Sequence, residues 1–277
     1  MQLCSLSQKR SVQITSLQVW ALRRDKRNKM SEEIVILNGD SDVQSSQTWS
    51  QLIGNLRKSI LKLKGNFISD DGSFVNYKDM VVSQDFEEYK KLAAELKALD
   101  WSYLKDHEDE RKAFFINLYN VQMIHALAAQ ETLPAAPLKV QGMWSRFAYN
   151  VGGLLFTLDE IEHGILRCNK GHPNDNKPKF VDEARKALIL KNLDPRIHFA
   201  LNCGAQSCPP IRIYQSDKLD QQVSPFYFVN LSQISHKKFS ANQSFMYSCL
   251  QFRKLLRFDE LFPQKKSHQI KVSCLRF

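Results

Sequence analysis

The chain has 277 residues, of which 43% are hydrophobic and 25% are charged, a composition typical of one globular domain with extensions. Its formal net charge of +10 comes from the two ends, because residues 1–29 hold seven basic residues against Asp25, and residues 236–277 hold nine against Asp259 and Glu260. The segment between them is mildly acidic, so we expect no nucleic-acid partner.

The sequence also argues against export and membrane insertion. No apolar run reaches the roughly 18 residues that a membrane-spanning helix needs. The N-terminal residues are interrupted by Gln, Ser and Lys and lack the apolar segment of a secretory signal. The six cysteines do not form the dense framework of a small disulfide-bonded domain. We therefore expect a cytoplasmic protein with reduced cysteines and no membrane contact.

The apolar periodicity predicts one α+β domain over residues 49–223, mostly helical with a small antiparallel or mixed sheet. In this prediction, residues 1–48 are a disordered N-terminal extension and residues 224–277 a poorly ordered basic tail. A strand is also expected over residues 74–77. Helices are expected over residues 49–63, 84–98 and 109–130, and the last of these is apolar on most sides.

Residues 147–158 have the pattern of a β-hairpin that turns at Gly152 and Gly153. Thr157 and Glu160 then have the spacing of a capping box, which predicts a short helix over residues 158–167. Glu162 falls near the centre of the apolar stripe of this helix, where a carboxylate needs a partner. His163 and Arg167 lie four residues apart and are expected to act together.

The densest group of chemically active side chains lies in residues 194–210, DPRIHFALNCGAQSCPP. A short apolar strand is expected to run into a turn bracketed by Cys203 and Cys208. His198 and Asn202 precede this turn, and Ser207 lies within it. Such residues are uncommon in a plain connection, so the sequence predicts a functional site here.

Three blocks of this chain resemble a known family. They are AFFINLYN (113–120), TLDEIEHGILR (157–167) and DPRIHFALNCGAQSCP (194–209), in the order in which they occur in the family catalogued as domain of unknown function 547 (DUF 547). The resemblance covers roughly residues 52–222, and family members usually continue in an ordered way beyond that point. The family has no established activity. Its fusions to glutaredoxin-like, DEP or coiled-coil segments imply thiol chemistry or a signalling scaffold.

Our first hypothesis is a cysteine-dependent hydrolase or acyl transferase with Cys203 or Cys208 as nucleophile. In a strand, His198 and Cys203 point to opposite faces, so His198 is a poor base for Cys203. We therefore expect His163 to be the base, oriented by Glu162 or Asn117. Backbone N–H groups of residues 204–207 would stabilise an oxyanion.

The remaining candidate residues divide into two groups. Polar residues within an apolar setting must find partners and either hold neighbouring backbone or orient a substrate. Arginines near the cysteines either hold an anionic substrate group or pair with carboxylates such as Glu162 and Asp194. We expect the substrate to be bound by Arg196, Arg212, Ser207 and Asn120. A structural role is expected for His198, Asn202 and His125.

Three alternatives remain open. The domain would be a non-catalytic module for protein interaction or signalling if its cysteines are simply buried. His198, Cys203 and Cys208, with His163, have ligand types suited to zinc, although the spacing is loose. Cys203 and Cys208 would form a redox pair if the turn brings them together. We expect no cofactor, and the partner would be an unidentified protein or small-molecule substrate.

Overall fold

A long buried helix is the centre of the fold. The computed structural model describes residues 33–39, 43–70, 74–132, 134, 137–171, 177–204, 208 and 211–223. Within them, helix α5 (Glu108–Ala128) is buried at every side chain from Ala113 to Leu127. A helix that is apolar on all sides is stable only when other elements cover it. The remaining elements do so, which confirms a mostly helical α+β domain.

Three strands, five further α-helices, one π-helix and four short 3-10 helices complete the regular structure of the described residues. The strands are β1 (Val35–Ile36), β2 (Phe147–Val151) and β3 (Leu154–Thr157). The α-helices are α1 (Trp49–Phe67), α2 (Tyr77–Met80), α3 (Gln84–Glu95), α4 (Ser102–Asp106) and α6 (Glu183–Lys186). A π-helix spans Glu160–Leu166, and short 3-10 helices span Leu96–Ala98, Pro137–Lys139, Pro195–Phe199 and Ser216–Lys218.

The sheet is mixed, with the strand order β1-β2-β3. β2 and β3 form the expected hairpin, and Gly152 and Gly153 have φ angles of 55° and 78°, which suit its tight turn. β1 pairs with β2 in parallel and lies within residues 1–48, the range predicted as an extension. The side chain of Asn38 also donates to the carbonyls of Ala93 and Asn150. Residues 33–39 are therefore part of the fold.

Helix α1 shows how the periodic pattern sets the packing. Thr48 and Gln51 form a capping box that starts the helix. The predicted apolar stripe is buried and packs against α3: Leu52, Ile53, Leu56, Ile60 and Leu63. The helix that was predicted over residues 84–98 consists of α3 and the 3-10 turn that follows it. Of the predicted strand 74–77, Val75 makes one antiparallel bridge to Ile68, and Tyr77 starts α2.

The capping box at Thr157 is confirmed, because Glu160 N–H donates to the Thr157 hydroxyl and Glu160 Oε2 accepts from the Thr157 amide. The helix that follows is wider than expected and adopts π geometry, which is common at functional sites. It packs so closely that a Cβ atom on Gly164 would overlap the ring of Phe180.

The predicted strand before Cys203 is wrong. The residues form a 3-10 helix, because the Asp194 side chain accepts from the Arg196 amide and Pro195 occupies the first turn. The alternation of side chains in a strand therefore does not apply to His198 and Cys203, and it no longer separates them. The predictions for residues 1–32 and 224–277 lie outside the described residues. No described helix is both long and apolar enough to cross a membrane.

The packing of the π-helix gives a stability prediction. Gly164→Ala must displace the Phe180 ring, so we expect it to lower the free energy of unfolding by about 1–3 kcal/mol. Gly54→Ala is the matched control, because Gly54 lies in α1 with no atom within 4 Å of an added Cβ. It should raise the free energy of unfolding by about 0.5–1 kcal/mol. Urea unfolding measures both, and equal effects would contradict this account of the packing.

Candidate thiol site

The sulfur atoms of Cys203 and Cys208 lie 2.9 Å apart. The Cys203 N–H also donates to the Cys208 sulfur over 3.2 Å. Gly204 follows Cys203 with a φ angle of 78°, and a Cβ atom there would lie 2.6 Å from Pro137 Cγ. Glycine is thus needed directly after Cys203. The two candidate nucleophiles form one pair, which we call the thiol pair.

Asn120 fixes the segment before this pair to the central helix. Its Nδ2 donates to the Ala200 carbonyl over 2.8 Å, and its Oδ1 accepts from the Asn202 amide over 2.7 Å. Asn202 then accepts the Gly204 amide over 2.8 Å. The amide group of Asn120, predicted to bind substrate, is therefore used to hold backbone. The Gly204 N–H, predicted as an oxyanion donor, is already bonded to Asn202.

Tyr119 contacts the carboxyl group of Glu162 and is affected by the charges of the thiol pair. Its hydroxyl donates to Glu162 Oε2 over 3.4 Å and accepts from the Trp144 side chain. Burial raises the pKa of Tyr119 well above its usual value, and the charges of Glu162, Cys203 and Cys208 raise it further. The phenol is thus neutral and within electrostatic reach of both the carboxyl and the sulfurs. The sequence analysis did not single it out.

Glu162 has the most perturbed acidity among the carboxyl groups of the site. Burial is the largest cause and raises its pKa to about 7; Asp159 raises it further, while Arg167 and the bond from Tyr119 oppose the shift. The side chain keeps 21% of its surface exposed, which lets its proton exchange with solvent. A carboxyl group of this acidity gives and takes protons at neutral pH.

His198 lies on the other side of this carboxyl, with Nδ1 3.8 Å from Glu162 Oε1. Burial and then the charge of Arg167 lower the pKa of His198 to about 4, against the opposing effect of Asp194. The imidazole is therefore neutral at pH 7. It lies beside the Glu162 carboxyl group as an uncharged neighbour.

His163, the expected base, lies in a different set of contacts. Its Nδ1 accepts from Arg167, and its Nε2 lies 3.4 Å from Asp159 Oδ1. Asp159 also pairs with Lys179. Arg167 is buried, and its Nε has no hydrogen-bond partner. These contacts favour a role for His163 in holding Arg167 near Glu162.

Two further polar residues of α5 hold other parts of the fold. Asn117, considered as an orienting residue, donates to the Tyr214 carbonyl and accepts from the Tyr214 amide, each over 2.8 Å. His125 Nδ1 lies 2.8 Å from the Tyr149 hydroxyl, which is in turn 2.5 Å from that of Tyr89. Burial lowers the pKa of His125 to about 4. These contacts favour a structural role for both side chains, the alternative to a catalytic one.

The predicted substrate-binding arginines differ in their surroundings. Arg196 pairs with Asp194 and Asp220, and Arg212 is exposed. Ser207 lies outside the described residues. The zinc alternative finds no support, because no three His, Cys, Asp or Glu side chains within the described ranges are grouped so that they could hold a metal ion.

Tyr119 and Asp159 are the residues of the site that sequence reasoning missed. A signal for Tyr119 was present, because a tyrosine buried among apolar residues generally finds a hydrogen-bond partner. It also lies between two asparagines that were singled out, Asn117 and Asn120. No such signal marked Asp159, whose partners come from the π-helix and a distant loop.

No curated protein and no solved structure matches this chain. Residues 104–225 match the family described as "Protein of unknown function, DUF547", which confirms the resemblance carried by the three sequence blocks. The matched range begins at α4 and contains α5, the hairpin, the π-helix and both cysteines of the pair. The part of the chain that carries the candidate site is therefore similar to the DUF547 family, a family of unknown function.

Proposed function

We propose that the domain is a cysteine-dependent acyl-transfer enzyme, a hydrolase or an acyl transferase, with Cys208 as its nucleophile. The observation that carries this proposal is the environment of the Cys208 sulfur. It accepts the Cys203 N–H over 3.2 Å and lies 2.9 Å from the Cys203 sulfur, which can donate its own proton. Two donors aimed at one sulfur stabilise a thiolate there, the reactive form of cysteine.

Glu162 is the best candidate for the base. Its pKa of about 7 matches neutral pH, where a proton acceptor is most effective. Tyr119 donates to this carboxyl, and the charges of both thiols raise the pKa of Tyr119. These effects support a role for Tyr119 in passing a proton between the carboxyl and the thiol pair. In this proposal Glu162 replaces His163 as base, and His163 positions Arg167.

The reaction follows from these roles. The Cys208 thiolate attacks an acyl carbon, forming a C–S bond, and protonated Glu162 supplies a proton, through Tyr119, to the leaving group. A thioester remains. Water or another nucleophile then attacks the thioester and loses its proton to Glu162, and the C–S bond breaks to restore the thiolate. No cofactor enters these steps.

The energetics of Glu162 support this proposal. A carboxyl group whose pKa is raised by burial destabilises the folded state at neutral pH, because folding there either takes up a proton or buries charge. A hydrophobic residue at the same place would carry no such penalty. Perturbed acids of this kind are concentrated at functional sites.

A second candidate is a non-catalytic interaction module. The bonds of Asn117 and Asn120 favour it, since the amide groups of these side chains hold backbone. The two candidates differ in one measurable respect: only the enzyme forms a covalent acyl intermediate at a cysteine of the pair.

An acyl intermediate can be detected with a model acyl donor. We expect p-nitrophenyl acetate to release a rapid burst of nitrophenol from the reduced full chain and to leave an acetyl group on Cys208, located by peptide mass spectrometry. Cys208→Ser should abolish the burst. Cys168→Ser is the control and should leave it unchanged, because burial raises the pKa of Cys168 and makes it a poor nucleophile. Acetylation of Cys168 and Cys208 at equal rates would overturn the proposal.

The raised pKa of Glu162 predicts that its replacement by glutamine stabilises the protein in a pH-dependent way. Because its pKa is about 7 in the folded state against an ordinary 4.5, the wild type loses stability as pH rises from 4.5 to 7. Glu162→Gln removes this loss, so it should raise the free energy of unfolding at pH 8 by at most about 3 kcal/mol and leave it nearly unchanged at pH 4.

Urea unfolding at both pH values measures this difference. Glu183→Gln is the control, because its side chain is 87% exposed, and it should show no comparable change between the two values. A gain for Glu162→Gln that is equal at pH 4 and pH 8 would show that the carboxyl group titrates normally.

A further inference from the structure

The sulfur atoms of Cys203 and Cys208 lie unusually close together for two cysteines that are not bonded. Their separation of 2.9 Å exceeds the length of an S–S bond by only about 0.9 Å. The side chains therefore already point at each other, and a bond between them requires little movement of the backbone.

The segment that carries Cys203 is held in place. Gly204, directly after Cys203, has a left-handed backbone conformation. The Asn202 side chain accepts the Gly204 amide, and Asn120 holds the Asn202 amide. Cys203 thus lies on a segment fixed to α5, and only four residues separate the two cysteines in the sequence, so the ring to be closed is small.

We propose that Cys203 and Cys208 form a reversible disulfide by thiol–disulfide exchange with a small disulfide of the glutathione class. The Cys208 thiolate attacks one sulfur of the small disulfide and releases a first small thiol. Cys203 then attacks the mixed disulfide at the Cys208 sulfur and releases a second. The protein dithiol is oxidised, the small disulfide is reduced, and the two protons of the cysteines end on the two small thiols.

Formation of this bond consumes the sulfur that the acyl-transfer proposal uses as a nucleophile. The oxidised domain would then be inactive until it is reduced. This regulatory consequence rests on the proposed function. The disulfide does not, since it depends only on the geometry of the two sulfurs.

Cys168 provides an internal comparison. It is half-buried, and burial raises its pKa. A thiol of this kind reacts slowly with disulfides, because the thiolate is the attacking species. Selective oxidation of the pair, with Cys168 left reduced, therefore distinguishes the proposed site from general oxidation of the protein.

The test uses the full chain equilibrated with mixtures of reduced and oxidised glutathione, then alkylated and mapped by mass spectrometry. We expect one peptide-linked disulfide between Cys203 and Cys208, with loss of alkylation at both and retention at Cys168. Dithiothreitol should restore both thiols. Cys203→Ser should leave Cys208 as a stable mixed disulfide with glutathione, and Cys168→Ser should behave as wild type.

The proposal is overturned if Cys203 and Cys208 stay separately alkylatable in oxidising mixtures, or if they pair with other cysteines. The wild-type map decides this even if a variant fails to fold. The two experiments together separate the two proposals. A disulfide without acetylation of the reduced chain overturns the acyl-transfer function alone, whereas acetylation without a disulfide overturns this inference alone.

Discussion

The fold depends on amide side chains of the buried helix α5 that hold other segments by their backbone. Asn117 holds Tyr214, and Asn120 holds Ala200 and Asn202. Gln122 donates to the carbonyls of Phe147 and Phe156 on the two strands of the hairpin. A buried backbone group left unpaired costs about 1–3 kcal/mol, so these bonds fix which segments cover the helix and in which register.

The same helix places the chemistry. Tyr119 is adjacent to Asn120, so the side chain that reaches Glu162 is next to the one that fixes the segment before the thiols. The contact to the acid and the attachment of the segment before the thiols therefore both come from one helix. Precise placement of this kind is what a reactive group needs, and it is easier on a helix than on a loop. The structural role of Asn120 and the proposed role of Tyr119 support each other.

Much of the fold was readable from the sequence where a local rule decides the structure. The 3.6-residue period predicted α1, α3 and α5, the glycine pair predicted the hairpin, and Thr157 with Glu160 predicted the cap. β1 carries no comparable signal, because two residues are too few to show alternation and its partner strand lies far along the chain. The 3-10 helix at Pro195 had a sequence signal, because Asp194 and Pro195 are typical of a helix start. The apolar residues that follow favoured a strand instead, and the prediction followed them.

The site was less predictable than the fold because its acidity depends on three-dimensional surroundings. Spacing identified Cys203, Cys208 and Glu162, and it indicated that Glu162 would lie among apolar side chains. It could not show that His163 would be engaged by Arg167 and Asp159, or that burial would raise the pKa of Glu162 to about 7. Two adjacent residues of the π-helix thus have different neighbours. In the proposed function, burial of an acid beside a neutral tyrosine, and not the presence of a histidine, gives the thiol pair a proton acceptor at neutral pH.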